Sequence, residues 1–341
     1  MRVLEEVPLA PYTTFGIGGP ARWFVEASAE DDVLQAVKFA SEREAPLFVL
    51  GGGSNLLVSD AGFRGVVLRI ALKGIEQNGA VFSVAAGEEW DAFVTTTVSQ
   101  NYAGIECLTG IPGSVGGTPV QNVGAYGQEV SGTILSVRVL DLESECFTTL
   151  STGECGFAYR RSIFNTSARG RYIVTRVEYV LNPDGNPTIS YADLKRYFQD
   201  RIGSLSLQDV SAAVREIRRQ KGMLIVPGDP DCRSAGSFFK NPVISKEHFE
   251  RITVLANGIG VPHYPAVPGQ VKVPAAWLLD QAGFHKGYVM GRAGISNRHT
   301  LALINRDSAS AKDIAALRDR IMVVVEEKFG IRLETEPVWV G

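Results

Sequence analysis

Residues 50–60 read LGGGSNLLVSD. An apolar run, LFVL (47–50), leads into Gly51, Gly52 and Gly53, and the polar pair Ser54-Asn55 follows. Upstream, ARWFVEAS (21–28) has the composition of a short strand. Ser28 is then expected to cap a helix through AEDDVLQAVKFASEREA, with acidic residues in its first turn and Val33, Val37 and Ala40 at helical spacing. Pro46 closes that helix before the LFVL strand. The order is β-α-β, and the glycines stand at the end of the second strand. Glycine admits positive φ and close approach to the backbone. Such a loop either presents several N–H groups to one anion or makes a tight turn.

Further along, GVVLRI, VFSVAAG, ILSVRVLDL and YIVTRVEYVL read as strands, the last with period-two alternation. Between them lies a second glycine-rich block, TGIPGSVGGTPVQNVGAYGQ (109–128). It carries Val115, Val120, Val123, Ala125 and Tyr126 among its glycines and is too apolar for a solvent loop. Buried irregular backbone needs hydrogen-bond partners. A large ligand rich in acceptors would provide them, as would internal packing. Ser206 and Asp209 mark the start of a helix over 207–222. VPGDPD (226–231) reads as a linker, and the remainder as mixed α/β with a long helix, AKDIAALRDRIMVVVEEKFG, stopped by Gly330.

The 341 residues suit two or three domains, and 45% apolar with 21% charged residues is an ordinary globular composition. A formal net charge of −3 argues against a nucleic-acid partner. No apolar run reaches the roughly 18 residues of a membrane span. MRVLEEVPLAPY lacks a signal-peptide core, so a cytoplasmic protein is expected. Cys107, Cys146, Cys155 and Cys232 have no C-x-x-C spacing and read as free thiols. The four histidines are scattered, and no metal site is expected.

Several motifs fail on context. No Gly-Lys dipeptide occurs, which removes a P-loop. GIGGPA (16–21) fits G-x-G-x-x-A but precedes a strand and contains Pro20, so it is not a Rossmann turn. No G-x-S-x-G is present. Polar clusters remain. YRRSIF (159–164) carries two arginines, suited to paired donation to a carboxylate or phosphate, or to an ordinary surface. RSAGSFFKNP (233–242) gathers Ser237, Lys240 and Asn241 around two phenylalanines, or is a strand entering an Asn-Pro turn. RLETEPVWVG places Glu334 and Glu336 near the C-terminus.

In this order TTFGIGGPA (13–21), LGGGSN (50–55), GIPGSVGGTPVQNVGAYG (110–127), YRRSIF, AGSFFKNP (235–242), AAWLLDQAG (275–283) and LETEPV (333–338) cover the chain nearly end to end. Together they resemble the UDP-N-acetylenolpyruvoylglucosamine reductase family, the flavoenzymes of peptidoglycan precursor synthesis. The resemblance implies an α+β fold: two FAD-binding subdomains of the vanillyl-alcohol oxidase type (1–70 and 71–222) and a C-terminal α/β substrate domain (223–329). A tail over 330–341 is expected to pack back toward the FAD domain. It also implies tightly bound, non-covalent FAD, NADPH as hydride donor, a UDP-sugar substrate and a cytoplasmic monomer with no membrane insertion.

For FAD the resemblance implies Gly51, Gly52, Gly53, Ser54 and Asn55, then Pro112, Gly113, Ser114, Gly117, Gln121, Asn122, Gly124 and Tyr126. It implies Arg160 as the carboxylate clamp, Ser237 as the proton donor to C2 of the enolpyruvyl group, and Glu336 as its assistant. Glu334 competes for that last role because Pro337 is displaced from the family's Leu-x-Pro-Glu-Val tail. Tyr191, in ISYADLKRYF, suggests the subclass with a tyrosine-bearing loop. Arg218, Lys221, Asn241 and Gln281 are the remaining expected substrate contacts. Two other readings remain at this point: a flavin oxidase of the same fold, for which no histidine precedes His248 and Cys107 remains as a tether without a supporting motif, and a UDP-sugar-binding module without chemistry.

Overall fold

A computed structural model describes residues 1–256 and 259–341. The chain divides into two compact units, each built from discontinuous segments. The first comprises Met1–Val7, Ala21–Gly53 and Arg64–Gln220, and the second Pro8–Pro20, Ser54–Phe63 and Lys221–Gly341.

The first unit contains a four-stranded sheet in the order Val3–Pro8, Pro20–Ala27, Phe63–Ile70, Leu47–Leu50. The last two strands are parallel, and helix Glu30–Glu42 connects Pro20–Ala27 to Leu47–Leu50. The helix begins one residue later than Ser28 would set it. Ala29 is its N-cap, and the Asp32 carboxylate collects the Ser28 and Ala29 amides and the Ser28 hydroxyl. The capping group is therefore the third helical residue reaching back, not the serine reaching forward. Val33, Ala36 and Ala40 form its buried stripe.

A second sheet, antiparallel throughout, runs Cys146–Ser151, Ile134–Asp141, Tyr172–Val180, Val81–Ala85, Ile75–Asn78. In Tyr172–Val180 the alternation is clean from Thr175 onward and fails at Ile173-Val174, which are both buried. The ladder shifts register between Arg138 and Val139, and a bulge of that kind turns consecutive side chains to one face. Trp90, Phe93, Phe82 and Tyr179 pack beneath this sheet as an aromatic cluster. Helix Leu207–Gln220 starts as expected: the Ser206 hydroxyl accepts the Asp209 amide, and the Asp209 carboxylate accepts the Ser206 amide.

In the second unit, helix Ala311–Phe329 buries Ile314, Leu317, Ile321, Val325 and Phe329 along one stripe. Gly330 ends it in the left-handed region at φ 65°. The Asp60 carboxylate receives the Ala311 and Lys312 amides at its start. Strand Val338–Val340 pairs parallel with Leu56–Val58, so the tail joins the segment that follows the triple glycine. The VPGDPD stretch is fixed rather than slack. Asp229 caps the turn Pro230–Cys232, and Asp229 and Asp231 both bind the Arg298 guanidinium. No helix among the described residues is long and apolar enough to cross a membrane.

Candidate active site

In the first unit the two glycine-rich blocks meet. Strand Leu47–Leu50 delivers Gly51 and Gly52 against Gly113 and Ser114. A Cβ on Gly52 would stand 2.5 Å from the Gly113 Cα and 2.8 Å from the Ser114 nitrogen. A Cβ on Gly51 would stand 2.8 Å from the Ser114 Oγ. Gly53 has φ +65°. Here glycine is required by close backbone approach as well as by conformation. The Ser114 Oγ is buried and has no hydrogen-bond partner. An orphaned buried hydroxyl is uncommon and expensive. A bare-backbone cradle facing an unsatisfied hydroxyl fits an oxygen-rich ligand such as the FAD pyrophosphate.

Block 109–128 is tied down around that cradle. The Gly110 amide donates to Asp91 at 2.5 Å, and the Gly110 carbonyl accepts from Arg218 Nε at 3.0 Å. Arg215 holds the Asp91 carboxylate at 2.8 and 2.9 Å. The amides of Val115 and Gly116 go to the carbonyls of Glu88 and Ala86, and that of Gly117 to Ser114, leaving Gly117 exposed at the turn. Thr118 Oγ1 and the Tyr179 hydroxyl share a hydrogen bond of 2.7 Å. Asn122 is 1% exposed and spends its amide inside the protein, on Glu129, the Ala158 carbonyl and the Ser131 amide. It shapes the block through its own fold. Gln121 is half-buried beside it.

YRRSIF locks onto the same block. Ser162, 1% exposed, donates to the Val120 carbonyl, and Arg160 donates to the Gly124 carbonyl at 2.7 Å. Arg160 has φ +55° and Tyr126 φ +49°, two non-glycine residues in the left-handed region. Backbone strain of this kind is held in place by its surroundings and clusters at functional sites. Pro112 is half-buried at the block's entry. Tyr126, nearly buried, meets Tyr191 edge to face at 5.5 Å, and Tyr191 is 44% exposed at the start of helix Ala192–Tyr197. Arg218 is 5% exposed, and burial pulls its guanidinium below its ordinary pKa while Tyr126 and Asp91 oppose that shift. Its guanidinium meets the Gly110 carbonyl and the Tyr126 hydroxyl.

In the second unit, segment Phe238–Lys240 runs antiparallel to Glu334–Glu336. The Glu336 amide donates to the Phe238 carbonyl, Phe239 bridges Thr335, and the Lys240 amide donates to the Glu334 carbonyl. This pairing brings Glu336 alongside the residue after Ser237. The Glu336 carbonyl accepts from Asn55 Nδ2 at 3.2 Å. Glu334 has a side chain 76% exposed and is paired with Lys240, whereas Glu336 is half-buried. Asn241 Oδ1 accepts the Ala275 amide at 2.9 Å and so caps helix Ala275–Gln281. Gln281 ends that helix, and its carbonyl accepts from Lys328. Ser54 is half-buried at the start of this unit's second segment, and Lys221 opens its third.

Sequence reading passed over His299, whose Nε2 lies 3.2 Å from the Ser237 Oγ. A lone histidine without ligand spacing carried no signal. It also passed over Asp91, which fixes Gly110. Cys107, the tether considered in the oxidase reading, is fully buried, and burial above all pushes its thiol up to about 12. A thiol so disposed stays protonated and unreactive.

The class of protein follows from the first unit. Residues 21–149 match the model of an FAD binding domain, where the glycine cradle lies. Residues 229–340 match the UDP-N-acetylenolpyruvoylglucosamine reductase, C-terminal domain. A UDP-N-acetylenolpyruvoylglucosamine reductase from Thermobifida fusca is 45% identical over 99% of this chain and 98% of its own length. One from Streptomyces coelicolor is 45% identical over 99% of this chain and 90% of its own. The crystal structure of the Thermus caldophilus enzyme superposes with a TM-score of 0.70 at 29% identity, covering both chains fully. The chain belongs to the UDP-N-acetylenolpyruvoylglucosamine reductase family, and it is an FAD-dependent oxidoreductase.

Proposed function

We propose that the protein reduces the enolpyruvyl double bond of UDP-N-acetylglucosamine enolpyruvate to give UDP-N-acetylmuramate, as a cytoplasmic monomer serving peptidoglycan precursor synthesis. Bound FAD supplies hydride chemistry, refilled by NADPH. We assign its binding to the two subdomains before residue 223, through Gly51–Asn55, Ser114 and the wrapped block up to Tyr126. Substrate is assigned to 223–329 with the tail.

The observation that carries this reading is the antiparallel pairing that sets Glu336 beside the Ser237-Phe238 segment. Hydride arriving at C3 leaves carbanion character at C2, next to a carboxylate. Ser237 gives its hydroxyl proton to C2. A serine hydroxyl is a weak acid, so the step relies on a strongly basic carbon and on fixed geometry. Glu336 assists that transfer; Glu334, exposed and occupied by Lys240, is the weaker candidate. Arg160 carries a planar fork of five donors, suited to holding a carboxylate as negative charge develops on it. Tyr191, Lys221, Asn241, Gln281 and Arg218 hold or frame the UDP-sugar. For Asn241 and Arg218 this is indirect in part, through helix Ala275–Gln281 and the Gly110 turn.

The two half-reactions test the assignment. Ser237→Ala is expected to leave flavin bleaching by NADPH unchanged and to slow recolouring by substrate by about 10²–10⁴-fold, the usual range for lost acid catalysis. Arg160→Ala is expected to harm substrate turnover more than FAD retention. Normal turnover in Ser237→Ala would remove the proton-donor assignment.

A further inference from the structure

Resting on the reading of Ser237 as proton donor, we infer that His299 is a positioning residue for that hydroxyl. In this assignment the histidine Nε2–H donates to the Ser237 Oγ, a contact of 3.2 Å.

The loop that carries His299 is braced on both sides. It joins strands Ala293–Ile295 and Leu303–Asn305. Just before His299, Arg298 is gripped by Asp229 and Asp231. Just after it, Thr300 donates to Asp280 at 3.3 Å. The Leu301 carbonyl accepts the Phe238 amide at 2.8 Å, which ties this loop directly to the residue following Ser237. Histidine and serine are thus set by backbone they share, and their contact does not depend on two long, free side chains. Geometry of that kind is what a weak acid requires.

The direction of the hydrogen bond decides what it does. A histidine accepting from the hydroxyl would turn the serine proton away from carbon and prepare a nucleophile. A histidine donating to Oγ leaves the hydroxyl proton to point at the substrate. In the step, the Oγ–H bond breaks, the proton forms the new C2–H bond with the carbanion's electron pair, and the O–H pair remains on Oγ. The Nε2–H then faces a developing alkoxide, which a preorganised donor stabilises much more than it stabilises the neutral hydroxyl. A proton from solvent water restores the serine.

The experiment is single-turnover reoxidation of the NADPH-reduced holoenzyme by UDP-N-acetylglucosamine enolpyruvate, in wild type, Ser237→Ala, His299→Ala, His299→Gln and the Ser237→Ala/His299→Ala double variant. His299→Ala is expected to slow reoxidation about a hundredfold, the scale of losing one aimed donor, with NADPH-driven bleaching unchanged. His299→Gln, which keeps an N–H at similar reach, is expected to recover most of the rate. The double variant is expected to be no slower than Ser237→Ala alone, because the histidine acts only through the hydroxyl. Wild-type reoxidation in His299→Ala, a His299→Gln as slow as alanine at unchanged melting temperature, or full additivity in the double variant would each overturn the inference. Wild-type reoxidation in Ser237→Ala would instead remove the functional reading beneath it.

Discussion

Gly52 has no side chain to lose, and the structure shows what one would cost. A methyl group there meets the Gly113 Cα at 2.5 Å and its carbonyl carbon at 2.7 Å, both backbone atoms with little room to yield. Overpacking of this kind costs about 1–3 kcal/mol, and moving Gly113 also moves the unpartnered Ser114 hydroxyl. Gly52→Ala is therefore expected to purify with less FAD and a lower melting temperature. Gly132→Ala, where a Cβ meets nothing within 4 Å, is the control and is expected to match wild type. Full flavin content in Gly52→Ala would separate the cradle from the cofactor. The residue scale is also where sequence reading is weakest. Triple glycine announces either a ligand or a turn, and the close approach of Gly113 to Gly52 has no mark in the sequence. His299 gave no sign at all, because its meaning lies in a serine far away in the chain. Asn122 sits in a motif that resembles a cofactor contact, yet it turns its amide inward to Glu129 and Ala158.

Helix Glu30–Glu42 is joined to the second sheet by one carboxylate. Glu30 takes Arg138 in two bonds, at 2.8 and 3.0 Å, and Thr175 in a third at 2.8 Å. The Arg138 hydrogen bond is the main reason its pKa lies below the ordinary 4.5, with partial burial opposing. A carboxylate lowered in the folded state binds fewer protons there than in the unfolded chain. Its contribution is complete above the unfolded value near 4.5 and is lost as pH falls through the folded one. Glu30→Gln is expected to lower the melting temperature at neutral pH and to flatten its decline between about pH 5 and 3. A decline parallel to wild type would contradict this. Elements themselves were largely legible. Alternation and apolar runs marked the strands of the antiparallel sheet, and Ser206 with Asp209 marked a helix start. Ser28 failed as a cap because Asp32 reaches back and takes both the hydroxyl and the amides. VPGDPD reads as a linker, and its tie to Arg298 is not legible there because that partner comes from much later in the chain.

At the scale of the whole molecule, chain order and spatial order part company. Pro8–Pro20 and Ser54–Phe63 belong to the same unit as Lys221–Gly341, and the final strand pairs with Leu56–Val58. No shift in composition marks those crossings, so pattern alone does not show the interleaving. The segments around Gly52, Arg160 and Ser237 are each local, so their order along the chain is informative even where their arrangement is not. On this reading one protein performs both halves of a flavin reaction on a UDP-sugar. Anaerobic visible spectroscopy of the purified protein tests it directly, with one equivalent of NADPH added first and UDP-N-acetylglucosamine enolpyruvate second. The prediction is a flavin band that bleaches with NADPH and returns with substrate. A band that bleaches and does not return would contradict the substrate assignment and leave a flavoprotein whose acceptor is something else.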